Sequence, residues 1–351
     1  MTLPIFTKFF NGLTNFSTSG FANAAFVTNL QNNNAGGTGA TLAQSNTYRA
    51  ARENPALGIA ANFFEANPNA LFARALTNDA MSNYNALELE VRRRLSGGLQ
   101  FQVDYTFSKA LSDARDAQGN NQSDLVSFRT LRNKGLDYTI NNQDQRHRFV
   151  ANGIYDLPFG NGRRYFSGSN GVVNRVVGGW SVSSIVVWQT RPPIYVASNR
   201  STFNNFNAGN NPVDLSGITF EDFKKNLGVF RTPQGIFFIN PNLLNVTVSA
   251  TGAVSSVPKP GLFTTPNVGS FGNFPINSLR GPAYFNWDAS LVKRIPITEQ
   301  VRLEIKTTFI NALNHANFTY NTQNIDSTSF GRITAQSGSP RIIHFTFKLT
   351  W

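Results

Sequence analysis

The chain closes on Arg341-Ile-Ile-His-Phe-Thr-Phe-Lys-Leu-Thr-Trp351, and the reading of this stretch decides the fold. Ile343, Phe345, Phe347, Leu349 and Trp351 take every second position, with His344, Thr346, Lys348 and Thr350 between them. Successive side chains of a strand point to opposite faces, so alternation over this length makes a strand with one apolar and one polar face. The apolar series ends on an aromatic residue at the last position of the chain.

Working back from that strand, six further segments repeat the pattern. Residues 87–95 place Leu87, Leu89, Val91 and Leu95 on one face, with a break at Arg93. Residues 99–107 alternate without a break: Leu99, Phe101, Val103, Tyr105 and Phe107 against Gln100, Gln102, Asp104 and Thr106. Only Ser96-Gly97-Gly98 separates these two segments, which predicts a hairpin. The third segment, 147–157, carries Phe149, Ala151, Gly153, Tyr155 and Leu157 on one face. The fourth, 180–188, carries Val182, Ser184 and Val186 between two tryptophans. The fifth runs through Phe285, Trp287, Ala289, Leu291 and Ile295. The sixth runs through Val301, Leu303, Ile305 and Phe309, with Arg302, Glu304, Lys306 and Thr308 opposite. Pro296-Ile-Thr-Glu299 turns the fifth into the sixth.

The connections alternate in length. Those at 96–98 and 296–299 are short, whereas those at about 108–146, 189–284 and 311–340 are long and polar. Short turns on one rim and long loops on the other is the arrangement of outer-membrane barrels, with the short side periplasmic. The expected fold is therefore all-β: an antiparallel up-and-down transmembrane β-barrel segment of about seven strands, an incomplete barrel with long extracellular loops. The C-terminus is expected at the periplasmic side. Residues 171–177 leave two readings open, a short periplasmic helix or an early part of the fourth strand. An amphipathic last strand with a terminal aromatic is also the form in which such barrels meet their assembly machinery. Ile343, Phe345, Phe347, Leu349 and Trp351 are thus a candidate insertion signal. Trp180 and Trp188 lie on one face, roughly 26 Å apart at about 3.3 Å per residue. A tilt of about 40° brings that to about 20 Å along the membrane normal, near the roughly 25 Å apolar band between aromatic girdles. The two tryptophans are expected to mark that girdle.

Composition agrees with a wall of this kind. Charged residues make up 14% of the 351 and aromatics 13%, with 31 Phe; soluble domains carry about 25% charge. Mean hydropathy is slightly negative, at −0.24. No run of about 18 apolar residues occurs, so no transmembrane helix is expected. A barrel wall needs apolar residues only at alternate positions and is compatible with an average hydropathy. The net charge of +12 is scattered as single residues or short pieces such as Arg92-Arg93-Arg94 and Arg163-Arg164, with no nucleic-acid motif. Attraction to anionic headgroups or a basic lumen accounts for the charge, and no nucleic-acid partner is expected. The first residues, Met1-Thr-Leu-Pro-Ile-Phe-Thr-Lys-Phe-Phe10, do not read as a signal peptide.

Nothing in the sequence argues for catalysis. There is no cysteine, and His147, His315 and His344 have no second histidine at a ligand spacing, so neither a metal nor a cofactor is expected. No Gly-x-Ser-x-Gly elbow stands on a strand-to-helix turn. Asp113, Asp116, Asp137 and Asp144 fall in a loop and read as solvated or ion-binding residues.

Several motifs bring a family into view: Ser82-Asn-Tyr-Asn-Ala-Leu87, Tyr105-Thr-Phe-Ser-Lys-Ala-Leu111, Asp144-Gln-Arg-His-Arg-Phe149, Leu157-Pro-Phe-Gly160, Asn286-Trp-Asp-Ala-Ser-Leu-Val-Lys293, Phe309-Ile-Asn-Ala-Leu-Asn-His-Ala-Asn-Phe318 and Phe330-Gly-Arg-Ile-Thr334. With the aromatic C-terminus they resemble the end of the barrel of Oar-like TonB-dependent receptors, from about Ser82 to Trp351. The resemblance implies a receptor or transporter of the Gram-negative outer membrane, coupled to the TonB system through a plug and preceded by a carboxypeptidase-regulatory-like domain. Its barrel has about 22 strands, and neither a plug nor an energy-coupling box is visible here. The chain accordingly reads as a C-terminal fragment with Met1 inside an extracellular loop. Residues 1–83 form a loop region before the first strand, 57–76 having a loosely helical pattern, and residues 84–351 form barrel wall. Outer-membrane lipid and the barrel assembly machinery are the implied partners, and the ligand is unknown. Two other functions stay open: a cell-surface adhesin or scaffold on the same strands, and a secreted β-sandwich that binds polysaccharide.

Overall fold

A computed structural model describes residues 24–32, 34–44, 78, 80–113, 130, 132–198, 200, 202 and 213–351. All seven alternating segments form strands: β1 (Ser82–Ser96), β2 (Leu99–Ser112), β3 (His147–Asp156), β4 (Trp180–Gln189), β5 (Tyr284–Pro296), β6 (Arg302–Ile310) and β7 (Ile342–Thr350). They pair edge to edge in chain order, and every pairing is antiparallel. Consecutive strands pair because neighbours in the chain lose the least entropy on meeting and short connections do not cross. A two-residue strand, Thr139–Ile140, adds to the ladder of β2.

Partners across an antiparallel ladder share a face, so the register defines two surfaces. On one, Val103 stands between Val91 and Ala151, and Tyr105 between Leu89 and Phe149. That row continues through Val186, Trp188, Trp287 and Phe285, and the same face reaches Ile305 opposite Phe347. On the other, Gln102 faces Arg92 and Asn152, Asp104 faces Glu90 and Val150, and Glu304 faces Arg294 and Lys348. This second face is polar towards the sheet edges. In the middle strands it also carries Val150, Ile154, Ile185 and Val187, apolar residues beyond a simple wet face.

The hairpin between β1 and β2 explains the break at Arg93. Pairing slips between Arg93 and Ser96, a β-bulge, and Arg93 then stands opposite Phe101 on the apolar face. Gly97 and Gly98 have φ of 61° and 83°, the backbone that a two-residue type I′ turn needs. A Cβ at Gly98 would also lie 2.9 Å from the Asp156 carbonyl oxygen of the adjacent β3. Residues 171–177, left open by the sequence, form helix α3 (Gly171–Val177); before it in the chain come α1 (Ala24–Gln31) and α2 (Ala35–Gln44). The Asn170 side chain accepts from the Val173 N–H at 2.9 Å and caps the start of α3. Residues 57–76 lie outside the described residues. Helices α1 and α2 are the regular elements described within residues 1–81.

A larger correction concerns the long connections, expected to be polar loops. Residues from the β4–β5 and β6–β7 connections build a core of their own: Phe223, Phe237, Phe263, Phe274 and Phe330 are buried together with Val196, Val213 and Tyr320. Helix α4 (Phe220–Lys225) supplies Phe223, and the paired strands Leu227–Thr232 and Gly235–Ile239 supply Phe237. Phe263 meets Phe223 and Phe330 edge to face, at 5.5 and 5.7 Å between ring centres. The rim with the long connections thus carries a folded cap.

The sheet is not closed: β1 and β7 are its edges, and every residue of both strands is exposed. In a seven-strand meander the first and last strands run in the same direction, whereas an all-antiparallel barrel has an even number of strands. Among the described residues, β1 and β7 could therefore not meet as an antiparallel pair.

The face assignment can be tested by folding into lipid vesicles. Val103→Arg puts a charge on the apolar face and is expected to cost about 2–4 kcal/mol, with Gln102→Arg costing far less. Equal losses, read from the denaturant dependence of the folded fraction, would refute the assignment.

Candidate binding site

Where the sheet meets the cap, a small set of buried polar groups fastens the long connections to the wall. Asp144, read from sequence as a solvated or ion-binding loop carboxylate, is buried. One of its oxygens accepts from the Ala110 N–H of β2 at 2.6 Å, and the other takes a charge-assisted bond from Arg280. Arg280 also donates to the main-chain carbonyls of Asp144 and Arg191, each at 2.8 Å. A single guanidinium therefore joins the β2–β3 connection, the end of β4 and the start of β5. Asp113 is likewise buried, and its carboxylate accepts from the Met81 N–H at 2.7 Å, tying the end of β2 to the start of β1. Asp137 is buried too, whereas Asp116 lies outside the described residues.

Asparagines do the same work on the next strands. Asn311, with φ of 51°, is buried at the end of β6. Its N–H donates to Asp288 of β5 at 2.8 Å, and its amide group donates to the carbonyls of His315 and Ser339, both at 3.0 Å. The Asn317 side chain accepts from the Phe285 N–H at 2.7 Å and donates to the Phe285 carbonyl at 2.8 Å, extending β5 with a side-chain rung. Asn277 donates to the Ile140 carbonyl at 2.7 Å, which joins the two longest connections. In the cap, burial raises the Tyr320 phenol above its ordinary range, so the group stays a neutral donor to the Thr322 carbonyl at 2.7 Å.

Between these fastenings and the polar face of the sheet lies a cleft of about 310 Å³. Glu88 of β1, Thr106 of β2 and Arg148 of β3 line its floor, and Tyr84, Gln143 and Gln145 line its sides. Glu88, Thr106 and Arg148 are successive partners in the ladder, so the sheet itself fixes an acid, a hydroxyl and a base side by side. The arrangement offers donors and acceptors to a hydrophilic ligand. The described residues contain no metal-binding cluster of histidines, cysteines and carboxylates. Of the residues that line the cleft, the sequence had marked Asp144 as an ion-binding or solvated carboxylate and had assigned none of the others to a ligand. Their alternation with the apolar set was the one signal that placed Glu88 and Thr106 on the wet face.

The residues that had been singled out lie elsewhere. Trp188 stands at the cap end of the apolar face in a row of rings: His147 is 6.1 Å from Trp188, 5.1 Å from Phe107 and 6.2 Å from Tyr105. The Tyr105 hydroxyl and His147 Nδ1 share a hydrogen bond of 2.8 Å. Trp180 lies at the opposite end of β4, where its indole N–H donates to the Val176 carbonyl of α3 at 3.0 Å. Both tryptophans thus sit on the apolar face, at its two rims. Ile343, Phe345, Phe347 and Leu349 occupy that face on β7, pairing with Phe309, Thr307, Ile305 and Leu303, and Trp351 follows the strand at 87% exposure.

The family model described as outer membrane beta barrel domain matches residues 10–344, nearly the whole chain. No curated protein and no solved structure matches it.

Removing the guanidinium at position 280 deprives the buried Asp144 carboxylate of its hydrogen-bonded cation and leaves Arg146 Nε, 3.9 Å away, as the remaining charge beside it. Arg280→Ala is expected to cost about 3–5 kcal/mol in the stability of the cap. Hydrogen exchange should then rise at Ala110 and in residues 139–146 while the middle of β4 and β5 stays protected. Unchanged protection around Ala110 would show that the pair does not hold the cap to the wall.

Proposed function

The chain belongs to the outer membrane beta barrel domain family, and we propose that it forms wall and extracellular loops of a TonB-dependent receptor of the Oar-like kind. One observation carries this reading. The β2–β3, β4–β5 and β6–β7 connections leave the sheet at the same rim, where residues of the latter two fold into a cored cap beside a polar cleft that opens on the mixed face. In this reading the apolar face meets lipid, the mixed face meets the lumen, and the rim with the short turns, including Trp351, lies in the periplasm. Trp180 and Trp188 rest at the two lipid interfaces, where amphipathic rings are favoured. The cap gathers a hydrophilic ligand, and the cleft between Glu88 and Arg148 holds it where the wall begins. Energised passage would depend on a plug that engages the TonB system. Loops held on a rigid wall commonly carry recognition. The motifs that resemble the Oar-like receptors support the reading, because Asp144, Asp288, Asn311 and Asn317 within them are the groups that fasten the cap.

An adhesin on the same wall would act through the cap alone, so the cleft separates the two functions. Arg148→Glu and Glu88→Lys are expected to reach the outer membrane at the wild-type level and to lose co-purifying polar small molecules, read by mass spectrometry of the purified protein. An unchanged set of bound molecules in both variants would count against a receptor site in the cleft.

We also propose that β7 and Trp351 serve assembly and present the strand to the barrel assembly machinery. Deletion of Trp351 should lower the amount of protein in the outer membrane several-fold and raise degradation in the periplasm. Normal insertion with loss of uptake would place Trp351 in transport instead.

A further inference from the structure

The connection between β3 and β4, residues 157–179, is built as more than a turn. The C-terminal end of helix α3 meets the rim of the apolar face, where Lys293 of β5 donates to the Val176 carbonyl at 2.8 Å and also to the Gly178 carbonyl. Lysine would otherwise be out of place on this face. Here its charge is taken up by the carbonyl end of a helix, and its Nζ lies 4.9 Å from the centre of the Trp180 ring. Around this junction Leu157, Phe159, Phe166, Val176, Trp180 and Leu291 line an open apolar groove of about 490 Å³, within the range of about 300–1,000 Å³ of small-molecule sites.

The groove is continuous with the apolar wall, since Leu291 and Trp180 belong to β5 and β4. Phe166 has φ of 61°, a backbone that bulky residues rarely adopt, and its ring packs 6.4 Å from Phe159 at 59% exposure. The helix itself exposes apolar side chains, Val172 at 72% and, at the groove, Val176 at 66%. Residues 157–179 hold three arginines and no acid. Arg163 lies 3.5 Å from Asp156, while Arg164 stacks over the Tyr165 ring at 5.4 Å and Arg175 is exposed in the last turn of α3. Exposed valines and rings beside exposed arginines are the chemistry of an element that lies in a membrane interface.

Resting on the wall reading above, we propose that residues 157–179 form a binding site for an anionic phospholipid of the periplasm-facing leaflet. The groove receives an acyl chain, and Arg164 and Arg175 meet the headgroup phosphate. Charge complementarity and the unbroken path from groove to wall select this occupant.

Tryptophan quenching tests it in the full chain. Protein purified from outer membranes is reconstituted in phosphatidylcholine vesicles that contain a minor fraction of lipid brominated on its acyl chains, either phosphatidylglycerol or phosphatidylcholine. One variant retains Trp180 alone (Trp188→Phe, Trp287→Phe and Trp351→Phe), and a second retains Trp188 alone. Brominated phosphatidylglycerol is expected to quench Trp180 more than brominated phosphatidylcholine does, with no such difference at Trp188. Arg164→Gln with Arg175→Gln should remove the excess at Trp180 and leave Trp188 and the folded gel mobility unchanged. Equal quenching of Trp180 by the two lipids, or an excess that survives the arginine substitutions, overturns the proposal. Quenching at Trp188 with none at Trp180 also overturns it, since the groove would then take up no acyl chain. If neither tryptophan is quenched by any lipid, the lipid-facing wall itself is wrong.

Discussion

The structure depends on the hydrogen-bonded ladder between neighbouring strands. A hydrocarbon layer offers no water to N–H and C=O groups, so a membrane wall made of strands must satisfy its main chain strand by strand. Side chains are then free to differ between the two faces. That is how a chain with mean hydropathy of −0.24 presents an apolar surface running from Leu89 through Tyr105, Phe149 and Trp188 to Phe285. The same constraint makes the edges matter. Until β1 and β7 are paired, each exposes a row of unsatisfied main-chain groups, the condition under which a sheet recruits other strands.

The ladder also sets where chemistry can stand. Every strand delivers one end to the short-turn rim and the other to the cap, so the two rims acquire different roles. At the cap, desolvated groups hold the connections: Asp144 between Ala110 and Arg280, and Asn317 on both main-chain groups of Phe285. At the opposite rim the exceptions to the apolar face are charges with a specific outlet. Arg93 arises from the bulge and donates to the Ser96 carbonyl at 3.2 Å, and Lys293 serves the end of α3. A lone charge on such a face would be costly. Placed near an interface or on carbonyl groups, it anchors the rim.

Much of the wall was legible in the sequence because its information is local. Alternation needs only the residues of one strand, and the Ser96-Gly97-Gly98 turn needs only its neighbours, so all seven strands and their order were readable. The break at Arg93 was visible but unexplained, since a bulge is a relation between two strands. The cap was illegible for a different reason. Its core joins Phe223 and Phe263 to Phe330 through short strands and bends that show neither a period of two nor one of 3.6. Polar composition in those connections read as solvated loop, although scattered phenylalanines carry the burial. Asp144 was misread in the same way: its partner Arg280 is 136 positions away, and no local pattern marks such a pair.

By itself, then, the sequence determined the sheet: which residues are strand, which face is apolar, and which rim bears the long connections. These follow from side-chain alternation, a property of each segment alone. Only the tertiary structure decided that the long connections fold into a cored cap, that Asp144 and Arg280 clamp it to the wall over a polar cleft, and that residues 171–177 form a helix held by Lys293. Each of these depends on groups distant in the chain meeting where water is excluded. The strength of a buried charge pair or an aromatic cluster exists only once the fold has brought its members together.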